Sequence, residues 1–142
     1  MKHKIRLFCQ SVMLILLSTS IYSQEPDFSD RQAIIKTTEN FFIGDHTGSV
    51  KHKKLSMHEK GAYKYVNRDG EYSEFAFDLD SDDSDTSYTE EILSIDIYGK
   101  LGLVKLRLAE NTGGQHYKVL IMHKGKDGWK ITTIVWGLEI TL

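Results

Sequence analysis

The apolar positions of this chain change period twice. Ile34, Ile35, Thr38, Phe41 and Phe42 recur at spacings of three, four and seven, the stripe of an amphipathic helix. Ser29 with Gln32 three residues on matches a capping box, and Gly44 supplies a stop signal. A second helix is predicted from Ser49 to His58, with a sparse face of Val50, Leu55 and Met57 among Lys51, Lys53 and Lys54. After Gly61 the pattern alternates. Tyr63 and Tyr65 lead into a turn at Arg68-Asp69-Gly70, and Ser73 to Asp78 fits either a short helix or a strand. Residues 78–85 hold five aspartates and two serines, which predicts a solvated loop that buries nothing.

From Thr89 onward strands dominate. Leu93, Ile95 and Ile97 share one parity, then Val104, Leu106 and Leu108, then Tyr117, Val119 and Ile121, and finally the run from Trp129 to Trp136. Turns fall at Gly99-Lys100, Asn111 to Gly114 and Lys124 to Gly128. Helices first and a meander of strands afterwards predict an α+β domain, with the helices on one face of an antiparallel sheet. Where the helices do not fill the curve of such a sheet, a pocket opens.

The start of the chain has a different pattern. Lys2, Lys4 and Arg6 precede the apolar run Val12 to Leu17, and small polar residues follow up to Ser23. This reads as a secretory signal peptide over residues 1–23, cleaved near Ser23-Gln24, with a leader over 24–31 and one domain over 32–142. The apolar run is too short for a membrane span of about 20 residues, so the mature form is expected in the periplasm or outside the cell, free of the membrane. Removing the signal takes three of the 18 basic residues and none of the 20 acidic ones, which leaves an acid excess of five. That balance disfavours nucleic acid as a partner. Cys9, the single cysteine, leaves with the signal, so the mature chain has neither a disulfide nor a thiolate metal site. With no cofactor motif present, the remaining chain must be stabilised by packing.

The order of several short motifs resembles the nuclear transport factor 2-like superfamily, in its exported "putative lumazine-binding" or SnoaL-like branch. The likeness runs from Gln32 to Trp136: Phe41-Phe42-Ile43-Gly44 ending the first helix, Gly48 opening the second, Met57-His58 closing it, and Asp69-Gly70-Glu71-Tyr72 after the first strand. Ile95-Asp96-Ile97 and Asp127-Gly128-Trp129-Lys130-Ile131 complete it. The resemblance implies a cystatin-like cone of N-terminal helices on a curved antiparallel sheet. Two departures stand out. The Asp/Ser segment replaces the family's third helix, and Tyr117-Lys118-Val119 stands where many relatives read Thr-Asp-Tyr.

The superfamily also contains ketosteroid-isomerase-like and polyketide-cyclase-like enzymes, which abstract protons with a carboxylate base. Matched to them, this chain has Tyr65 at the base position and Thr37 or Phe41 in place of the tyrosine donor, so no catalytic set is identified. A tyrosine with a pKa near 10 is a poor base at neutral pH. His58 matches a helix-ending histidine of the family and reads first as a cap at the negative helix end. His116 and His123 fall on opposite strand faces, so they form no metal pair. A calcium loop starting at Asp80 would use Asp80, Asp82 and Glu91, but its glycine position is Asp85.

The expected function is therefore binding of a small apolar or aromatic ligand in a pocket lined by Phe42, His58, Tyr65 and Trp136. Two alternatives are an enzyme with a non-standard acid/base pair of His58 and Tyr65, and a structural homodimer through the sheet. For the dimer, Lys105, Arg107 and Lys118 would share one basic sheet face.

Overall fold

A computed structural model describes residues 28–67 and 69–138, with Leu138 described in its backbone only. The signal-peptide reading therefore lies outside the described residues. Helix α1 (Phe28–Thr47) leads into α2 (Val50–Ser56), and six strands follow: β1 (Met57–Val66), β2 (Tyr72–Ala76), β3 (Tyr88–Tyr98), β4 (Leu101–Glu110), β5 (Gln115–Gly125) and β6 (Gly128–Leu138).

Of the predicted stripe of α1, Ile34, Thr38 and Phe41 are buried and Ile35 and Phe42 partly so, while Thr37 and Gly44 complete the buried face. Both threonines stay satisfied there by donating to carbonyls one turn back, Thr37 to Ala33 at 3.0 Å and Thr38 to Ile34 at 2.9 Å. Two local expectations change. The helix already includes Phe28 to Arg31, residues assigned to the leader, and so passes through Ser29, the predicted cap. It also runs through Gly44, where a Cβ would lie 2.9 Å from the Lys53 amide nitrogen, so this glycine allows close approach of α2. The stop is Gly48, at φ +67°.

In α2 the sparse apolar face is inverted. Lys53 is buried while Leu55 is exposed, and the helix ends at Ser56, so Met57 and His58 open β1. His58 therefore does not cap a helix. Lys130 does, donating to the Lys54 and Leu55 carbonyls at 2.7 Å each.

The sheet has the order β2-β1-β6-β5-β4-β3. It is not wholly antiparallel, because the returning meander β3–β6 sets β6 parallel to β1, one strand in from the β2 edge. Strands β2 and β3 lie at opposite edges, so residues 77–87 must cross from one edge to the other. That segment contains the aspartate-rich residues 78–85, which are exposed or half-buried, and its anchoring comes from its flank and its backbone. Phe77 is core, Leu79 packs against it, and the Lys53 ammonium donates to the Ser81 and Asp83 carbonyls at 2.9 Å each. The Asp85 amide donates to the Asp45 carbonyl at 2.9 Å, so both helices hold the strap.

The core lies between α1 and the inner sheet face: Ile34 and Phe41 meet Val104, Leu106, Leu120, Met122, Trp129, Ile131 and Ile134. In β4 the expected residues point inward. In β3 a bulge between Ile92 and Ser94 breaks the parity, so Leu93 is 41% exposed while Ile95 and Ile97 remain inside. In β5 the inward residues are Lys118, Leu120 and Met122, not Tyr117, Val119 and Ile121. Lys105 pairs with Val119, and Lys118 pairs with Leu106 on the opposite face. The expected basic face is thus reduced to Lys105 and Arg107.

A β-carbon at Gly48 would meet the Asp82 carbonyl oxygen at 1.9 Å, in addition to the left-handed backbone. Gly99 has φ +60° but open space around it. Gly48→Ala should therefore cost at least about 2 kcal/mol more than Gly99→Ala, read as the difference between their urea midpoints.

Candidate binding site at the strand ends

The structure brings together two of the four expected pocket residues. Tyr65 and Trp136 are register partners across β1 and β6, with ring centroids 5.7 Å apart at 77°. Phe42 is half-buried against the core, its ring 6.0 Å from that of Phe41. His58 is exposed in a separate polar groove with Lys54, Glu59, Asp80 and Lys130, and its Nδ1 accepts from the Lys60 amide at 3.1 Å. His58 and Tyr65 are seven positions apart along β1, and even with its irregularity between Met57 and Ala62 this segment spans five residues of β6, roughly 16 Å, too far for an acid/base pair. The calcium candidates are also apart. Asp80 pairs with Lys54 at 2.6 Å, Glu91 pairs with Arg107, and the Asp82 carbonyl abuts Gly48. Among the described residues, no group of three or more His, Cys, Asp or Glu side chains could hold a metal ion.

The cavity at Tyr65 and Trp136 encloses about 390 Å³. It lies where one end of the sheet meets the strap. Tyr65 comes from the end of β1, Tyr88 from the start of β3, Leu108 and Glu110 from the end of β4, His116 from the start of β5, and Trp136 from the end of β6; the strap adds Asp85 and Ser87. No helix residue lines it; a smaller hollow of about 240 Å³ lies nearer the helices, between Asp45 and Lys53 on one side and Tyr63 and Phe75 on the other. Its lining combines aromatic rings with polar side chains. His116 Nε2 pairs with Glu110, and this contact together with Thr112 holds the Glu110 carboxyl below the usual range. The Ser87 hydroxyl and amide donate to Asp85 at 2.6 and 2.8 Å and lower its pKa in the same way.

Beneath Tyr88 and Trp136 lies a buried charged cluster. The Lys118 ammonium donates to the Tyr88 hydroxyl at 3.2 Å and stands 3.8 Å from Asp45 Oδ2 and 3.9 Å from Glu90 Oε1. It also lies 4.7 Å from the Tyr88 ring centroid and 5.7 Å from those of Phe41 and Trp136. Tyr88 in turn donates to Asp45, and burial together with that carboxylate raises the pKa of its phenol. Glu90 has a side chain only 1% exposed, its Oε2 lies 3.5 Å from His46 Nε2, and none of these three atoms, the two carboxylate oxygens and the ring nitrogen, has a hydrogen-bond partner. Burial pushes the Glu90 pKa up to about 7; Lys118 opposes the shift, and Asp45 and Asp85 add to it. Removing one partner from such a buried set leaves an uncompensated charge, at a cost of roughly 3–5 kcal/mol.

From the sequence, Lys118 is expected on the outer face with Lys105 and Arg107; the one signal for its inward position is the parity it shares with Leu120 and Met122, and the equally apolar parity of Tyr117, Val119 and Ile121 masks it. Glu90 carried no such signal, because the β3 bulge decides which way it points. Its carboxylate is sealed below Tyr88 and Trp136 and does not line the cavity, so the open site offers aromatic rings and two lining carboxylates.

This architecture defines the class: an α+β, nuclear transport factor 2-like fold. A protein of that kind and of unknown function from Shewanella baltica superposes with a TM-score of 0.69 at 12% identity, covering 83% of this chain and all of the other. One from Methylobacillus flagellatus gives 0.67 at 14% identity, with 82% and 97% covered. A domain of unknown function with a cystatin-like fold from Nostoc punctiforme gives 0.60 at 12% identity, with 82% of each chain covered. The chain belongs to the family described as "putative lumazine-binding", whose sequence profile matches residues 29–137. None of the curated proteins matches it.

The raised pKa of Glu90 has a direct consequence for stability. Between its ordinary value of 4.5 and about 7, the folded protein holds a proton that the unfolded chain has released. This group therefore favours folding most below that window, and its contribution falls as pH rises through it. Glu90→Gln should flatten the fall in melting temperature between acid and mildly alkaline pH, measured by calorimetry across the range.

Proposed function

We propose that this chain is an exported small-molecule-binding domain whose ligand seats in the cavity at the strand ends, against Tyr65, Tyr88 and Trp136. The single observation that carries the reading is the cavity itself: about 390 Å³, lined by three aromatic side chains and Leu108 together with the polar side chains of Asp85, Ser87, Glu110 and His116. Ligand sites combine apolar walls with a few placed polar groups in this way, and the volume suits a compact ring system. The family's description points to a planar heteroaromatic, and lumazine is a suitable first probe. Export rests on the signal-like pattern of residues 1–23. Among the described residues, no helix is long and apolar enough to cross a membrane.

Binding is read by tryptophan emission. Trp129 is 3% exposed and Trp136 is 40% exposed in the cavity wall, so a ligand entering there should change the emission of Trp136. In Trp136→Phe that change should disappear, with affinity falling about three- to tenfold by calorimetry. An unaltered response in Trp136→Phe would place the ligand elsewhere. For export, intact-mass measurement of protein recovered from the periplasm should give a chain beginning at Gln24; an uncleaved chain confined to the cytoplasm removes that part of the reading.

A further inference from the structure

Resting on that reading of the pocket, we propose that the cavity selects a cationic organic molecule, with its charged nitrogen against the Tyr65, Tyr88 and Trp136 rings and opposite the Asp85 and Glu110 carboxylates.

The rings are arranged for a cation. Tyr65 and Trp136 meet edge to face at 77° where they line the cavity, and Tyr88 lines it as well. Aromatic faces carry negative charge density, and a nitrogen cation near two or three of them is attracted without needing a hydrogen bond. The protein already uses these rings so from below, where the Lys118 ammonium approaches Tyr88 and Trp136.

The charges around the cavity have the matching sign. Asp85 and Glu110 line it, both with pKa values held below the usual range, so both are ionised near neutrality. Among the described residues no lysine or arginine lines it. Lys118 stays beneath the floor, and its charge is met there by Asp45 and Glu90. Among the described lining residues His116 is the group able to carry a positive charge, and it pairs with Glu110, so Asp85 is the lining carboxylate with no cationic partner of its own in the lining. A neutral planar ligand would gain contact with the rings but would shield two carboxylates from water without offering either a counter-charge. A cation of the same shape gains the same contact and pairs with that charge.

N-methylquinolinium and methylnaphthalene are suitable probes, being nearly the same in shape and different in charge. Calorimetric titration of the wild-type protein near neutral pH should show the cation binding about tenfold more tightly, with that preference weakening as ionic strength rises. In Asp85→Asn/Glu110→Gln, an isosteric double variant of the lining, the preference should shrink to within about threefold while methylnaphthalene affinity holds. Equal affinities, a preference for methylnaphthalene, or a preference that survives in the double variant would each overturn cation selection. Methylnaphthalene binding alone would leave the pocket reading standing. Absence of binding by both probes and by lumazine would remove both.

Discussion

An ammonium group can be kept between a helix and a sheet only if opposite charge and ring faces replace the water it has lost. Lys118 is in that position, and the neighbourhood that answers it comes from the end of α1, the start of β3, and the end of β6. Asp45 accepts from the phenol of Tyr88 while standing beside the ammonium, so the last turns of the long helix are tied to the first residue of the strand that enters the sheet at its far edge. The same ring then serves as cavity wall on its other side. Charge burial, helix docking and the shape of the pocket are thus consequences of one inward lysine.

The strap between β2 and β3 meets the second constraint. Since those strands lie at opposite edges, the connection must cross the molecule, and its eight central residues are too polar to do so as a packed helix. Backbone polar groups hold it instead: two of its carbonyls receive the Lys53 ammonium, and its Asp85 amide reaches α1. It then delivers Asp85 and Ser87 to the cavity. Composition that reads as a solvated loop becomes part of the wall because the partners are carbonyls and an amide, which any sequence carries.

The fold was more legible than the site. Ile34, Thr38 and Phe41 form the buried helix face at the predicted spacing, and Val104, Leu106 and Leu108 point into the core as their alternation required. Of the four aromatic and histidine candidates that the sequence offers, Tyr65 and Trp136 do meet, whereas His58 and Phe42 lie elsewhere. The failures share a cause. In β5 both parities are largely apolar, so alternation could not say that Leu120 and Met122, and with them Lys118, face inward. In β3 one extra residue reverses the facing of Glu90 relative to Ile95.

What the amino-acid order determined by itself was whatever depends on local period and on charge: two helices before a set of strands, the turns between them, and an acidic domain after a signal-like start. Sheet order, the parallel pairing of β1 with β6, the bulge in β3, and the meeting of Lys118 with Asp45 and Glu90 were decided only in three dimensions. The reason is physical. Asp45 and Lys118 are 73 positions apart along the chain, and no local preference of either predicts the other; their approach follows from strands pairing at long range and from the cost of leaving a buried charge unanswered.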